Sequence, residues 1–466
     1  MIAELKPYPA MKDSDVPWLG QVPDHWNTTR FWTVTYLRSE KNRPDLDLLS
    51  VFLGRGVIPY AEGGGQVHKP SLDLTGYQVV YPGDLVLNNQ QAWRGSVGVS
   101  IYHGIISPAY LVFALGEEFD SGFANYLFQS RVMVDQFVSC SKGVGDIQRD
   151  IYTTWLRNAR VPVPTIGEQA LIVRYLDYID RRVRRYISAK EKLIALLQEQ
   201  KQAIIHRAIT RGLDPDVPLK PLGATPPVLV NERFNTPRFW TVADPRSDKN
   251  RPDLDLLSVF LGRGVIPYVE GGGQVHKPSL DLTGYQVVYP GDLVLNNQQA
   301  WRGSVGVSSY HGIISPAYLV FALGGELHSG YANYLFQSRV MVDQFLTSSK
   351  GVGDIQRDIY TTWLRNARVP VPRIGEQAEI AAYLDQELSV IRLQDDLTRR
   401  QIELVREYRT RLIADAVTGK LDVREAAANL PDEPDEREPL DEVDDVMDEG
   451  DAMVDDLDAV AEEVEV

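Results

Sequence analysis

Asn88-Asn-Gln-Gln-Ala-Trp-Arg-Gly-Ser96 crowds amide side chains and a guanidinium into one short run. The chemistry open to such residues is recognition by hydrogen bonds. A carboxamide can pair in bidentate fashion with an adenine edge, and a guanidinium with guanine. Asn88, Asn89, Gln90, Gln91 and Arg94 are therefore the first candidates, and the run returns unchanged with Asn296, Asn297, Gln298, Gln299 and Arg302. The alternative is a turn whose Asn and Gln side chains satisfy nearby backbone groups. Trp93 reads as a packing residue rather than a wedge between bases.

Two further segments carry polar groups on glycine-spaced chain. Ser141-Lys-Gly-Val-Gly-Asp-Ile-Gln-Arg149 could bring backbone N–H groups, Lys142 and Arg149 to a phosphate, and its copy carries Lys350 and Arg357. A plain linker fits that segment equally well. Gly63-Gly-Gly-Gln-Val-His-Lys69 offers Gln66 and Lys69, repeated as Gln274 and Lys277, although a surface loop is the better reading there. His68, His103 and their copies stand singly, without metal-ligand spacing. Catalytic signatures are missing from the sequence: no phosphate loop, no dinucleotide fingerprint, no His-Glu-x-x-His helix and no Asn/Asp-Pro-Pro-Phe/Tyr motif. Glu199-Gln-Lys201 superficially resembles a nuclease remnant, but it falls within a helical pattern and copy two has Glu407-Tyr-Arg409.

These residues sit in a domain present twice. Residues 30–170 recur at 238–378 with a constant offset of 208 and about nine positions in ten identical. Near-identical domains have near-identical surfaces and must bind the same thing twice. Each begins with short segments rich in β-branched and aromatic residues, such as Leu48–Leu53, Tyr77–Tyr81, Asp84–Leu87 and Tyr110–Leu115. A helix is predicted over 122–138, capped by Ser121, and a strand at Arg160–Val163 closes the domain.

A long helix is predicted over 167–210, with Ile172, Leu176, Ile179, Val183 and Ile187 stepping by threes and fours. Thr165 and Glu168 are spaced as a capping box. Helix two, over 375–417, begins less well capped because Arg373 replaces Thr165. At 1.5 Å per residue each helix spans about 60 Å. A narrow apolar seam of that length calls for a partner helix. The expected class is α+β: two β-rich domains, each followed by a long helix, the two helices packing as an antiparallel coiled-coil spacer with pseudo-twofold symmetry. The alternative packs each helix on its own domain. The expected segments are a lead-in to 29, a first domain 30–166, a helix 167–214, a linker 215–237, a second domain 238–374, a second helix 375–424 and a tail 425–466. The second copy lacks most of the lead-in sequence Trp18 to Trp26, having Pro227 to Phe234 instead.

The chain has 466 residues, 44% hydrophobic and 24% charged, as ordinary globular proteins do. No apolar run approaches a membrane span, and the N-terminal residues carry no apolar signal core, so a cytoplasmic location is expected. Cys140 is the only cysteine and Ser348 replaces it in copy two, which excludes an internal disulfide. The net charge of −16 is concentrated in residues 431–466, with eighteen acidic residues against Arg437. That segment sums to −17, leaving the rest at +1 (−16 + 17), so charge does not exclude a polyanionic partner. The acidic segment reads as disordered in isolation. Val443, Val446, Met453, Leu457, Val460 and Val464 would also let it form an amphipathic helix on a basic partner surface.

Several motifs in order carry a family resemblance. Tyr8-Pro-Ala-Met-Lys-Asp-Ser-Asp-Val-Pro-Trp-Leu-Gly-Gln-Val-Pro-Asp-His-Trp26 opens the chain. Val161-Pro-Val-Pro-Thr-Ile-Gly-Glu-Gln169 and Val369-Pro-Val-Pro-Arg-Ile-Gly-Glu-Gln377 join domain to helix, and Ala416-Val-Thr-Gly-Lys-Leu-Asp-Val-Arg424 ends the second helix. This layout resembles the specificity subunits of type I restriction–modification systems over residues 8–425. The resemblance implies a non-catalytic subunit with two target recognition domains on a helical spacer. It implies double-stranded DNA as ligand, two modification subunits as partners and two restriction subunits besides. S-adenosylmethionine, ATP and Mg2+ would be held by those partners, with no cofactor in this chain. Family members usually carry two different recognition domains. Near-identity here implies inverted, identical half-sites, since twofold protein symmetry is mirrored in a palindromic site. The spacer suggests half-sites about one turn, roughly 10–11 base pairs, apart. A scaffolding protein whose twin domains bind a non-nucleic-acid partner is the next reading, and a tandem-domain enzyme the third.

Overall fold

The computed structural model describes residues 5–63, 70–142, 150–271, 279, 281–351 and 357–431. The chain divides into two compact units. The first joins residues up to Lys190 with the described chain from Arg400, and the second holds Glu191–Arg399.

In the first unit, a four-stranded antiparallel sheet has the order Thr35–Leu37, Tyr110–Leu115, Asp84–Asn88, Val97–Val99. Alternation along Asp84–Asn88 divides its side chains between two cores. Val86 joins Leu49, Val51, Val57, Val80, Ile106 and Val112 on one face. Leu85 and Leu87 are fully buried on the other. Phe31 adds an aromatic cluster, meeting Phe113 edge-on at 5.1 Å and Phe128 at 5.7 Å. Two small ladders, Leu49–Phe52 with Gly56–Pro59 and Gln78–Val80 with Gly104–Ile106, complete the β layer. Strand Arg160–Val163 returns to pair with Asn27–Arg30. The second unit repeats the sheet as Ala243–Pro245, Tyr318–Leu323, Leu293–Asn296, Val305–Val307.

The expected helix 122–138 is two helices, Ser121–Gln129 and Arg131–Ser139. Ser130 breaks it: its backbone is extended (φ −62°, ψ 145°) and its hydroxyl accepts from Met133 N–H at 3.4 Å. Asp120, not Ser121, is the cap of the first, accepting from Phe123 N–H at 3.0 Å. In the second copy His328 stands there and supplies no side-chain cap.

The long helices run Ile166–Arg211 and Ile374–Val417. Each is followed by a left-handed glycine, Gly212 (φ 78°) and Gly419 (φ 76°), the conformation that closes helix C-termini. Ile172, Leu176, Ile179, Val183, Ile187, Ile380, Leu384, Leu388 and Ile391 are buried. Within the first unit Asp180 meets Arg409 at 2.8 Å and Tyr186 meets Gln401 at 3.4 Å. Residue numbers rise on one helix as they fall on the other, so these segments are antiparallel. Within the second unit Lys201 lies in the field of Arg392 and Asp395, and Gly212 lies against Glu376, which gives the same antiparallel sense.

The Trp18–Trp26 lead-in, absent from the second copy by sequence, is present there as structure. Met11–Asp13 and Gln21–Pro23 form a hairpin, and Leu219–Pro221 with Leu229–Asn231 form another at the same offset of 208. The stretch expected as a linker thus contains this second hairpin. Val22 and Val230, and Trp26 and Phe234, are buried at equivalent positions. Only the size and apolarity of these few side chains persist, which is all that packing requires.

The capping-box reading also changes. Buried Glu168 accepts from the Tyr8 hydroxyl at 2.7 Å, and its other oxygen faces His25 Nε2 at 2.9 Å. Burial, reinforced by the bond to Glu168, pushes the Tyr8 hydroxyl well above its ordinary pKa. Arg424 lies 4.8 Å above the Tyr8 ring and pairs with Asp422, whose N–H donates to the Lys6 carbonyl at 2.8 Å. In the second unit, desolvation raises the pKa of Glu376, the equivalent residue.

Candidate nucleic-acid interface

The Asn88–Ser96 run joins two paired strands of the central sheet, with Leu87 opposite Val97. A short 3-10 turn at Ala92–Arg94 carries it across, and Gly95 follows at φ 103°, where a side chain would be strained. Ala92 is fully buried and anchors the turn. Asn88 accepts from the Gln90 N–H at 3.0 Å, and the Gln90 carbonyl receives the Trp93 indole N–H at 2.8 Å. The Arg94 guanidinium lies 4.8 Å from the Trp93 ring. Gln90 and Arg94 are exposed, while Asn88, Asn89, Gln91 and Trp93 are half-buried.

Asn89 links this loop to the chain just past the second candidate segment. Its amide donates to Asp150 at 3.1 Å and its carbonyl oxygen accepts from Ile151 N–H at 3.2 Å. The copy is the same: Asn297 holds Asp358 at 3.1 Å and Ile359 N–H at 3.1 Å. There the Arg302 and Arg357 guanidinium groups lie 4.6 and 5.5 Å from one indole, Trp301. In the second copy the structure thus brings together two of the three segments nominated from sequence. Lys142 and Lys350 lie on the two-residue strands Ser141–Lys142 and Ser349–Lys350, which pair with Asp150–Ile151 and Asp358–Ile359. Lys350 and Gln298 are exposed. Arg149, Gln66, Lys69, Gln274 and Lys277 lie outside the described residues. His103 stacks on Tyr81 at 4.8 Å, a packing role.

One feature beside the site was not read from sequence. Tyr360 and Trp363, just past the pinned Ile359, stack at 5.2 Å and are 43% and 50% exposed. Two aromatics three residues apart, one capping and one within a one-turn helix, were the available signal. Among the described residues, no group of three His, Cys, Asp or Glu side chains could hold a metal ion.

The arrangement is a polar, cation-bearing loop pinned by hydrogen bonds at the end of a pair of sheet strands, made twice. No protein-family model matches the sequence. Compared with known proteins, the chain is 24% identical over 329 residues to the MjaVIII type I restriction enzyme specificity subunit of Methanocaldococcus jannaschii. The match spans 64% of this chain and 70% of that one. The chain is thus similar, over about two thirds of its length, to a type I restriction specificity subunit. Its fold is also that of a chain solved in work on complex assembly and conformational transition of the type I restriction–modification system. That match has TM-score 0.60 and 17% identity, over 86% of this chain and 99% of the other. The HsdS subunit of Thermoanaerobacter tengcongensis superposes more loosely, with TM-score 0.42 and 18% identity over 86% of this chain and 98% of that one. No helix among the described residues is long and apolar enough to cross a membrane.

Proposed function

We propose that this chain is the DNA-reading, non-catalytic subunit of a type I restriction–modification complex acting in the cytoplasm. The observation that carries the reading is the duplicated loop, Asn88–Ser96 and Asn296–Ser304, held by the same bonds between the same two sheet strands in both units. Gln90, Arg94, Gln298 and Arg302 present amide and guanidinium donors outward, the groups suited to base edges. Lys142, Lys350, Arg149, Arg357 and the Gln66–Lys69 and Gln274–Lys277 segments would contact phosphates and set register. Two modification subunits would supply S-adenosylmethionine and adenine methylation. Two restriction subunits would supply ATP- and Mg2+-dependent translocation and cleavage.

The two long helices would act as an antiparallel ruler, a reading supported by their antiparallel pairing within each unit. Because the two loops are alike, the expected target is a palindrome of two short half-sites around a nonspecific spacer. Mapping adenine methylation in cells carrying the system tests this directly. A methylated palindrome is the expected outcome, and a non-palindromic motif overturns the symmetric reading. The double substitution Arg94→Ala with Arg302→Ala should abolish discrimination at both half-sites, measured as binding to the mapped motif by the assembled methyltransferase complex.

A further inference from the structure

Arg302 borders a second feature, wholly inside the second unit. A cavity of about 820 Å³ lies between residues 198–205 of the first long helix, the Leu261–Arg263 turn, helices Ser329–Gln337 and Arg339–Thr347, and Arg392. Five of its lining residues are cationic: Lys201, Arg263, Arg302, Arg339 and Arg392. Among the described lining residues none is acidic. Arg339 is paired with Asp343 at 2.7 Å, and Arg392 donates to the Tyr334 hydroxyl at 3.0 Å. Lys201 is half-buried. Burial, followed by repulsion from Arg392, lowers its pKa, against the opposing pull of Asp395.

The first unit shows what is missing. The residues equivalent to Lys201 and Arg392 are Arg409 and Arg184, and both face buried Asp180, at 2.8 and 3.9 Å. Tyr126 donates to the same carboxylate at 3.2 Å. In the second unit the position of Asp180 is Leu388, fully buried. The domain residues Arg263, Arg302, Arg339 and Tyr334 are copies of Arg55, Arg94, Arg131 and Tyr126. One helix position therefore removes the carboxylate that both cations share, while Asp395, at the position of Ile187, brings a carboxylate into the field of Lys201 and pairs with Arg399 at 3.1 Å.

We infer that the cleft of the second unit is a phosphate-binding site, with Lys201 and Arg392 as ligands, and that its occupant is a backbone phosphate of the DNA bound by Arg302. The inference rests on the DNA reading given above. An anion between Lys201 and Arg392 supplies the charge that Asp180 supplies in the first unit, and compensates a desolvated ammonium. A backbone phosphate fits because Arg302 belongs both to the reading loop and to the cleft wall. Contacts to the backbone fix register without carrying sequence information. The site makes the grip on DNA unequal even where the two reading loops are the same.

The test is Lys201→Gln in the assembled methyltransferase complex, with binding to target and non-target duplexes followed by fluorescence anisotropy across a salt series. Loss of one phosphate contact should lower the slope of log affinity against log salt by about one. Affinity at low salt should fall roughly fivefold for both duplexes, leaving sequence preference intact. Lys201→Arg should restore slope and affinity, which loss of a merely structural contact would not predict. Unchanged slope and affinity in Lys201→Gln, while Arg94→Ala with Arg302→Ala loses the target, overturns the site and leaves the DNA reading standing. Weaker binding of inorganic pyrophosphate without any change toward DNA also overturns it, assigning the cleft to a small phosphate. A native complex that binds no duplex removes both.

Discussion

The two units share a domain that is about nine-tenths identical, yet they are held together differently around it. In the first, Arg409 grips buried Asp180 with two hydrogen bonds of 2.9 and 2.8 Å. In the second, the equivalent positions are Lys201 and Leu388. In the first, Asp120 caps a helix; in the second, His328 does not. The comparison separates two jobs. The polar loops are the same in sequence and in hydrogen bonding, as a shared task under the proposed reading requires. Positions facing the long helices diverge because each need only satisfy its own neighbours.

The largest expected consequence of that divergence is at Asp180. Arg409→Ala leaves a buried carboxylate without its main partner and should cost about 3 kcal/mol in denaturant unfolding. Lys201→Ala removes a desolvated charge with no such partner and should cost under about 0.5 kcal/mol. Equal costs would erase the distinction between the two units. Next in size are the two polar loops proposed to read DNA. Arg94→Ala and Arg302→Ala, made singly, should each weaken target binding by about 1–3 kcal/mol, at opposite half-sites. A measurable effect from only one would show that the copies do not read alike.

Capping gives a smaller contrast. Asp120→Ala should destabilise by about 1 kcal/mol, whereas His328→Ala should not, and His328→Asp should gain a similar amount. Thermal melts of the three variants decide it.

The smallest effect is in pH dependence. Desolvation raises the pKa of Glu376 in the folded state, ahead of repulsion from Glu379 and against Arg233 and Arg373. A carboxyl with a raised folded pKa costs stability when ionised, and the cost is relieved as pH falls toward its unfolded value. Glu376→Gln should therefore raise the melting temperature slightly at pH 7–8, with the gain vanishing near pH 4. Asp422 has the opposite sign. Its hydrogen bond from Arg424 depresses its pKa, so its contribution is present above the unfolded pKa and lost as pH falls through the folded one. Asp422→Asn should lower the melting temperature at neutral pH and make little difference in acid.

What could be read from sequence follows the range of the forces involved. The long helices were legible to within a residue at each end, because a 3.6-residue apolar period is a local signal sustained over many turns. Strands such as Tyr110–Leu115 were legible for the same reason at period two. The break at Ser130 was not, since the apolar stripe continues across it and only the backbone turns aside. The second lead-in hairpin was hidden because packing preserved Val230 and Phe234 and little else. The polar loop of the site was legible by residue type. Its attachment through Asn89 to Asp150, and the cleft joining Lys201 to Arg392, depend on pairings across sixty and nearly two hundred residues. No local pattern records those.

The hairpins have a wider consequence. In the second unit the chain passes covalently from Gly212 into its hairpin at Leu219. In the first, the corresponding passage from Gly419 to the hairpin at Met11 is made by the Lys6–Asp422 backbone bridge instead of peptide bonds. The same seam is sewn once with covalent thread and once with hydrogen bonds. A backbone pairing between segments about four hundred residues apart thus does in the first unit what a short covalent run does in the second.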